Sequence, residues 1–222
     1  MLVLCHGFPV EPQGAQRTGA AFAALADRLA AESGWRVVTG ALRGVAPSAG
    51  DFSPAGWLED IATLVDRALV SGERRGAWIA GFGTGGALAL CLAARQSRVR
   101  GVACFGAPAT VSDWAQDLPG LVALARRVGV IRTPGYPSDL RAWGEPFRSL
   151  APATAAARVA PRPLLVVHGA EDDAVPVGDA RTLADAGGPA AELRILPGAG
   201  HNLRADPRAV ALLVGWLERQ GP

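Results

Sequence analysis

The sequence predicts an α/β protein with a mostly parallel sheet and helices on both faces. Short apolar runs alternate along the chain with longer runs in which apolar residues recur at helical spacing. The short runs are apolar throughout, which is typical of strands that are buried on both sides of a parallel sheet. Of the 222 residues, 50% are hydrophobic and 19% are charged, so the chain has enough apolar material for one sizeable core. We expect a single domain over residues 1–222.

Six apolar runs predict the strands, and five amphipathic runs predict the helices between them. The predicted strands are Met1–Cys5, Trp35–Thr39, Ala77–Ala80, Val99–Phe105, Leu164–Val167 and Glu192–Leu196. The predicted helices are Ala20–Glu32, Pro54–Val70, Thr84–Arg95, Val177–Ala186 and Pro207–Arg219. Two of their ends carry the expected signals, because Ser53 precedes a proline at the first helical position and Gly34 follows the first helix.

Residues 106–162 interrupt this alternation of strand and helix. One helix is predicted at about Ser112–Val128, and a proline-rich stretch with Tyr136, Trp143 and Phe147 follows it. Linkers seldom carry so many aromatic residues. We therefore expect a small lid-like insertion that lies over the sheet.

Charge and composition exclude several classes of function. The net charge is +2 and the basic residues, all of them arginine, are scattered, so we expect no nucleic-acid partner. A chain without lysine cannot form a lysine Schiff base. No apolar run approaches the roughly 18 residues that span a membrane, so we expect no membrane contact. Three cysteines at scattered positions favour a reducing compartment, and we expect a cytoplasmic protein with Cys5 and Cys104 in its core.

Four predicted strands end in residues that could carry chemistry, and ligands of a parallel sheet bind beyond the carboxyl ends of its strands. The segments are His6-Gly7-Phe8-Pro9, Gly81-Phe82-Gly83-Thr84-Gly85-Gly86, His168 to Pro176 with Asp172 and Asp173, and Pro197-Gly198-Ala199-Gly200-His201. Any one of them could be an ordinary turn. All four in this order indicate a functional site.

In this order the four segments resemble the α/β-hydrolase superfamily, in particular its small esterases and its dienelactone-hydrolase-like and serine-aminopeptidase-like members. The resemblance covers nearly the whole chain. It implies that the backbone N–H groups of Phe8 and Thr84 form an oxyanion hole, and that His201 is the triad base. It implies Asp172 as the triad acid, with Asp173 as the alternative, and a small organic molecule as substrate.

We expect neither a cofactor nor a metal. The segment Gly81-x-Gly83-x-x-Gly86 fits a dinucleotide-binding pattern, but it follows the third strand and not the first. The three histidines match no spacing of metal ligands.

The resemblance also implies a shortened sheet. The family usually has two strands before the strand that leads into the oxyanion loop, and this chain begins in that strand. Trp35–Thr39 would then be an edge strand with unpaired backbone groups. We expect a second copy of the chain to cover this edge as a homodimer, unless the chain start is truncated relative to its relatives.

The family's nucleophile is absent from its expected place. The elbow motif is Gly-x-Ser-x-Gly, and here its third position is Gly83, which has no atom that could attack a carbonyl. Thr84 comes one residue late, and its side chain is expected to point away from the site. Glycine also adopts the strained elbow conformation without the cost of about 1–3 kcal/mol that an L-residue carries there.

Two functions from different classes stay open. The chain is either a hydrolase-like enzyme in which a His201–Asp172 dyad activates a water, or an inactive relative that binds a small ligand or a partner in the former pocket. The candidates for the pocket wall are His6, Trp114, Tyr136 and Trp143, which flank loops at the catalytic edge. His6 is also expected to hold the oxyanion loop in place.

Overall fold

The computed structural model describes residues 1–70 and 76–221, and a six-stranded sheet forms the centre of this part of the chain. The strands are β1 (Leu2–Cys5), β2 (Val37–Thr39), β3 (Ala77–Phe82), β4 (Val99–Phe105), β5 (Leu164–Gly169) and β6 (Ala191–Leu196). Their order is β2-β1-β3-β4-β5-β6, and every neighbouring pair is parallel. The predicted α/β fold with a parallel sheet is confirmed.

Helices cover both faces of the sheet. They are α1 (Ala15–Ser33), α2 (Pro54–Val70), α3 (Thr84–Ala93), α4 (Leu118–Val128), α5 (Leu140–Ser149), α6 (Pro152–Val159), α7 (Val177–Gly187) and α8 (Pro207–Glu218). Apolar residues of α1 and α8 share one buried cluster, and those of α2 to α7 share the other. Within residues 1–70 and 76–221, no helix combines the length and apolar character that a membrane crossing requires.

The two buried clusters lie on opposite faces of the sheet because successive strand residues point in opposite directions. In β1, Val3 belongs to the cluster under α2 to α7, and Leu4 belongs to the cluster under α1 and α8. Both side chains are fully buried. The central strand β1 is therefore apolar on both faces, as the sequence predicts, whereas the edge strand β6 has Glu192 and an exposed Arg194.

The order of the strands reverses at β1. The chain leaves β1 for β2 on one side and returns to β3 on the other side. At such a switch point the loops after the two strands diverge and leave a crevice at their carboxyl ends, where ligands of α/β proteins bind. The loop after β1 carries Phe8, and the turn after β3 carries Gly83.

Residues 106–162 contain more helix than the sequence predicts. The one predicted helix is divided into a 3₁₀ turn at residues 112–115, which ends at Gln116, and α4, which Asp117 caps by accepting a hydrogen bond of 2.9 Å from the Gly120 N–H. The proline-rich stretch forms α5 and α6. Pro152 stands at the start of α6, where proline is tolerated, whereas Pro146 lies inside α5.

Helix α1 begins at Ala15 and not at the predicted Ala20. Gly19 argues against a helix there, because glycine is a poor helix former. In the fold Gly19 contacts the Ala46 carbonyl so closely that a side chain would not fit. The Ala46 N–H donates to the Ala15 carbonyl at 3.0 Å, so the following loop packs onto this turn of α1.

The strand β2 forms one edge of the sheet and β6 forms the other. The position of β2 agrees with the edge predicted at Trp35–Thr39, although the strand itself begins at Val37. That a second copy of the chain covers β2 stays a prediction.

Candidate active site

The structure brings His201 and Asp172 together at the carboxyl ends of the strands. Asp172 follows β5, and His201 lies in the loop after β6. The His201 Nδ1–H donates to Asp172 Oδ2 at 2.9 Å and lies 3.1 Å from Oδ1. Because Nδ1 carries this proton, the lone pair of Nε2 is free to accept another. The pair therefore has the arrangement of a base and the carboxylate that orients it.

Asp172 is held by the turn that it begins. Its Oδ1 accepts hydrogen bonds of 2.9 Å from the N–H groups of Ala174 and Val175. Its side chain is fully buried, and a buried carboxylate is stable only with such donors. The neighbouring Asp173 is exposed and borders a cavity described below.

His168 supports the same turn from the end of β5. It is fully buried, and its Nε2–H donates to the Val175 carbonyl at 2.9 Å. The same nitrogen lies 3.4 Å from Asp172 Oδ2. Its Nδ1 has no hydrogen-bond partner among the described residues. His168 therefore positions the carboxylate, and does not itself reach the space above Gly83.

Position 83 lies directly below the His201 ring. Gly83 has φ 52° and ψ −127°, a backbone conformation that L-residues rarely adopt. A Cβ atom built on Gly83 would lie 3.5 Å from His201 Nε2. The free nitrogen of the imidazole thus faces the space in which a side chain at position 83 would begin.

The loop after β1 lies beside this space, because Gly7 Cα would be 3.9 Å from a Cβ on Gly83. The loop after β1 is held against the turn after β3, since a Cβ on Gly7 would lie 3.2 Å from the Thr84 nitrogen. In the described part of the chain neither the Phe8 nor the Thr84 N–H donates a hydrogen bond to another backbone group. Free N–H groups of this kind are the donors that stabilise a developing oxyanion.

His6 holds the loop that carries Phe8. Its Nε2 accepts a hydrogen bond of 2.9 Å from the Leu42 N–H, and its Nδ1–H donates to the Gly7 carbonyl at 3.0 Å. The ring is fully buried, and burial lowers its pKa to about 4. His6 is therefore neutral at pH 7 and acts as a brace. It does not border the cavity described below, contrary to its predicted place in the pocket wall.

The three aromatic candidates for the pocket wall do not border that cavity either. Trp143 is buried, and its Nε1–H donates to the Phe52 carbonyl at 3.0 Å. Trp114 packs edge-on against Phe8, with ring centroids 5.3 Å apart, and Tyr136 is half-buried against the core. These side chains fill the space between the insertion and the sheet. We call the rings of Phe8, Phe52, Trp57, Trp114, Trp143 and Phe147 the aromatic cluster.

A cavity of about 700 Å³ borders His201 on the side of the sheet that α1 and α8 cover. It is lined by residues 7–11, by the first turns of α1, by Phe82 and Gly83, and by residues 198–207. The side chains of Phe22 and Phe82 form an apolar part of its wall. No sequence motif marks Arg17 and Arg204, which also border it.

Gly106, at the end of β4, is a site residue that the motifs do not include. It has φ +56°, and a Cβ built on it would lie 3.3 Å from Asp172 Oδ2 and 3.4 Å from His201 Nδ1. Both distances are tighter than ordinary van der Waals contact. The absence of a side chain here allows the histidine and the aspartate to meet. Its position directly after a buried strand is the sequence feature from which Gly106 could have been predicted as a site residue.

The cysteines do not offer a substitute nucleophile. Burial raises the pKa of Cys5 to about 12 and that of Cys91 to about 11, and it raises the pKa of Cys104 further. All three are buried and none borders the cavity. In residues 1–70 and 76–221, no three His, Cys, Asp or Glu side chains converge as a metal site would need.

Comparison with known proteins agrees with this geometry. The sequence model of a family described as "Alpha/beta hydrolase family" matches residues 2–212. No curated protein matches the chain.

Several solved structures share the fold. Est1E from Butyrivibrio proteoclasticus with bound ferulic acid has a TM-score of 0.71 and 17% identity, over 99% of this chain and 86% of that one. A mutant of the meta-cleavage product hydrolase CumD from Pseudomonas fluorescens IP01, complexed with acetates, has a TM-score of 0.69 and 21% identity, over 99% and 91%. A monoacylglycerol lipase of Paleococcus ferrophilus has a TM-score of 0.70 and 16% identity, over 99% and 94%. Identities this low show the fold alone.

The substitution Gly106→Ala is expected to push His201 and Asp172 apart, because the added methyl group would lie 3.3–3.4 Å from both partners. The measurement is proton NMR of the His201 Nδ1–H, whose resonance should move upfield or broaden as the hydrogen bond lengthens. Gly188→Ala is the matched control, since Gly188 has φ +59° with open space around it. Both variants carry a backbone cost of about 1–3 kcal/mol. An unchanged resonance in Gly106→Ala would contradict the role given to Gly106.

The buried His6 predicts a pH dependence of stability. Its pKa is about 4 in the fold and 6.5 in an unfolded chain, so between these values the unfolded state binds more protons. The free energy of unfolding should be highest above pH 6.5 and fall by about 3 kcal/mol as the pH drops to about 4. The measurement is the free energy of unfolding in urea across this pH range, for the protein and for His6→Asn. The carboxylates titrate in both proteins, so the difference between the two curves isolates the contribution of His6. Parallel curves for the two proteins would rule it out.

Proposed function

The chain belongs to the alpha/beta hydrolase family, and from this we propose that it hydrolyses esters or amides of small organic molecules without a covalent enzyme intermediate. The attacking group in this proposal is a water that His201 activates. One observation supports it above the others. His201 Nε2 lies 3.5 Å from where a Cβ on Gly83 would lie, and both residues border the cavity, from which a water could approach.

Asp172 orients the base and carries no transferred proton. The carboxylate accepts the His201 Nδ1–H at 2.9 Å, which fixes the ring and stabilises the imidazolium that forms during the reaction. Nε2 takes one proton from the water as its oxygen attacks the carbonyl carbon of the substrate. A C–O bond forms, and the carbonyl electron pair moves to the carbonyl oxygen.

The backbone N–H groups of Phe8 and Thr84 would then stabilise the negative oxygen. Such donors contribute strongly to catalysis, because loss of one donor typically lowers kcat by about 10²–10³-fold. As the tetrahedral intermediate collapses, the His201 Nε2–H gives its proton to the leaving oxygen or nitrogen. The bond to the leaving group breaks, which releases a carboxylic acid and an alcohol or amine.

In this proposal the absence of a side chain at position 83 leaves room for the attacking water. A water in that space has Nε2 as a hydrogen-bond acceptor, and a buried water needs about 2–4 polar partners. Triads that lose their nucleophile keep roughly 10³–10⁴-fold catalysis over water. We therefore propose slow turnover without an acyl-enzyme intermediate.

The alternative function is binding without turnover. It is favoured by Gly83 itself, which carries no nucleophile, and by Thr84, whose side chain does not border the cavity. In this case the protein is an inactive hydrolase relative that holds a small ligand or a partner in the same cavity. The kinetic comparison below separates the two functions.

With an activated aryl acetate, the natural protein is expected to hydrolyse at a steady rate from the first turnover, and His201→Ala to lower kcat/KM by about 10²-fold or more. Gly83→Ser is expected to show a burst of one phenol per protein, because it places a hydroxyl within reach of Nε2. Gly83→Ala is the matched control at the same positive φ. It should lose activity without a burst, because its methyl group occupies the water's space.

Equal rates for the natural protein and His201→Ala would end the proposal of hydrolysis and leave the binding function. A burst in the natural protein would instead reveal a nucleophile that the geometry does not show. Thermal unfolding of all three variants serves as the check that they fold.

A further inference from the structure

The two sides of the candidate site differ in the volume that is available to a ligand. On the side of α2 to α7 the aromatic cluster is packed by close ring contacts. The Phe52 ring lies 4.7 Å from Trp57 and 5.9 Å from Trp143, and Phe147 lies 5.6 Å from Trp114, all measured between centroids. Such spacings are those of rings in direct contact. This side therefore has little space for a ligand.

The other side holds the cavity of about 700 Å³, a size typical of sites for small organic ligands. Phe22 and Phe82 in its wall lie edge to face at 5.3 Å, and Phe82 stacks on Phe105 at 4.5 Å. All three rings are buried to more than nine-tenths. The apolar part of the wall is therefore well supported.

The chemistry assigns a direction to each substituent of the reacting carbon. The water comes from above Gly83, and the carbonyl oxygen points to the N–H groups of Phe8 and Thr84. The leaving group must lie within hydrogen-bond reach of His201 Nε2, which protonates it. His201 and residues 198–207 line the cavity, so the leaving group extends into it. Because these three directions are taken, the acyl substituent points towards the aromatic cluster.

The charges around the cavity do not favour one sign. Arg17 is paired with Glu11, whose carboxylate lies 2.6 Å away. Asp206 on the lining is likewise in an ion pair, of 2.7 Å. Arg204 and Asp173 are exposed on the lining, with opposite charges, and neither has an ion-pair partner in the part of the chain that the structure describes. A neutral leaving group matches this balance better than an anion or a cation.

We infer that the substrates are esters of a small acyl group, formyl or acetyl in size, with a bulky neutral alcohol such as an aryl alcohol. This inference rests on the proposed hydrolysis. The alcohol lies in the cavity against Phe22 and Phe82, and the aromatic cluster limits the acyl chain.

The first test compares aryl esters of similar chemical reactivity. The natural protein is expected to prefer 2-naphthyl acetate to phenyl acetate, and to hydrolyse 2-naphthyl hexanoate at least ~10-fold less efficiently than 2-naphthyl acetate, measured as kcat/KM. Rates are divided by those of hydroxide hydrolysis to remove intrinsic reactivity. Equal kcat/KM for acetate and hexanoate would overturn the inference, and so would equal values for the two aryl acetates.

Variants test each side separately. Trp114→Ala should raise the hexanoate-to-acetate ratio by ~10-fold or more, because it opens the cluster beside Phe8. Trp114→Leu, which keeps an apolar side chain, should raise it less. Ala205→Trp should remove the preference for the naphthyl group, because Ala205 borders the cavity. Ala211→Trp, an exposed position on α8 away from the cavity, is the matched control and should change neither ratio.

Binding separates the failure of this inference from the failure of hydrolysis. If the protein hydrolyses no ester, the proposed hydrolysis fails, and 2-naphthol binding followed by NMR decides the use of the cavity. Binding that Ala205→Trp weakens at least ~10-fold and Ala211→Trp leaves unchanged would support the cavity as the alcohol site. No binding of 2-naphthol, or equal binding by both variants, would overturn it.

Discussion

The hydrogen bond from the His201 Nδ1–H to Asp172 joins the loops after β5 and β6, and the rest of the candidate site depends on it. It fixes the tautomer of the imidazole and leaves Nε2 free above Gly83. It also gives the buried carboxylate a partner, in addition to the backbone donors of its own turn. Asp172 therefore connects His201 to the turn after β5, and its loss would remove both the partner of the imidazole and the acceptor of the turn.

Close approach of backbone segments sets the distances around that unit. A Cβ on Gly7 would contact the Phe82 carbonyl, one on Gly85 would lie 3.1 Å from the Cys5 carbonyl, and one on Gly106 would touch both members of the pair. His6 adds one hydrogen bond to the neighbouring loop, from the Leu42 N–H, and one within its own loop, to the Gly7 carbonyl. Because the site is assembled mainly from main-chain contacts, it keeps its shape although position 83 has no side chain.

The sheet and the order of the site motifs could be predicted, because buried parallel strands are apolar throughout and the site residues follow directly at their ends. The start of α1 could not be predicted, because Gly19 is required in this helix by its close contact with the Ala46 carbonyl, which is distant in the sequence. The sequence also could not predict which side of the site has open space for a ligand. In a sequence, Trp114 and Trp143 look the same whether they line a pocket or fill it, and only their contacts with Phe8 and Phe52 decide.

Phe8 takes part in two structures at once. Its backbone N–H stands beside Gly83, while its ring lies 5.0 Å from Phe52 and 5.3 Å from Trp114. The insertion at residues 106–162 and the edge of the sheet are thus mechanically linked through a single residue. Repacking of the Trp114 or Phe52 ring would therefore also displace the backbone of the loop after β1, so the packing of the insertion constrains the geometry of the candidate site.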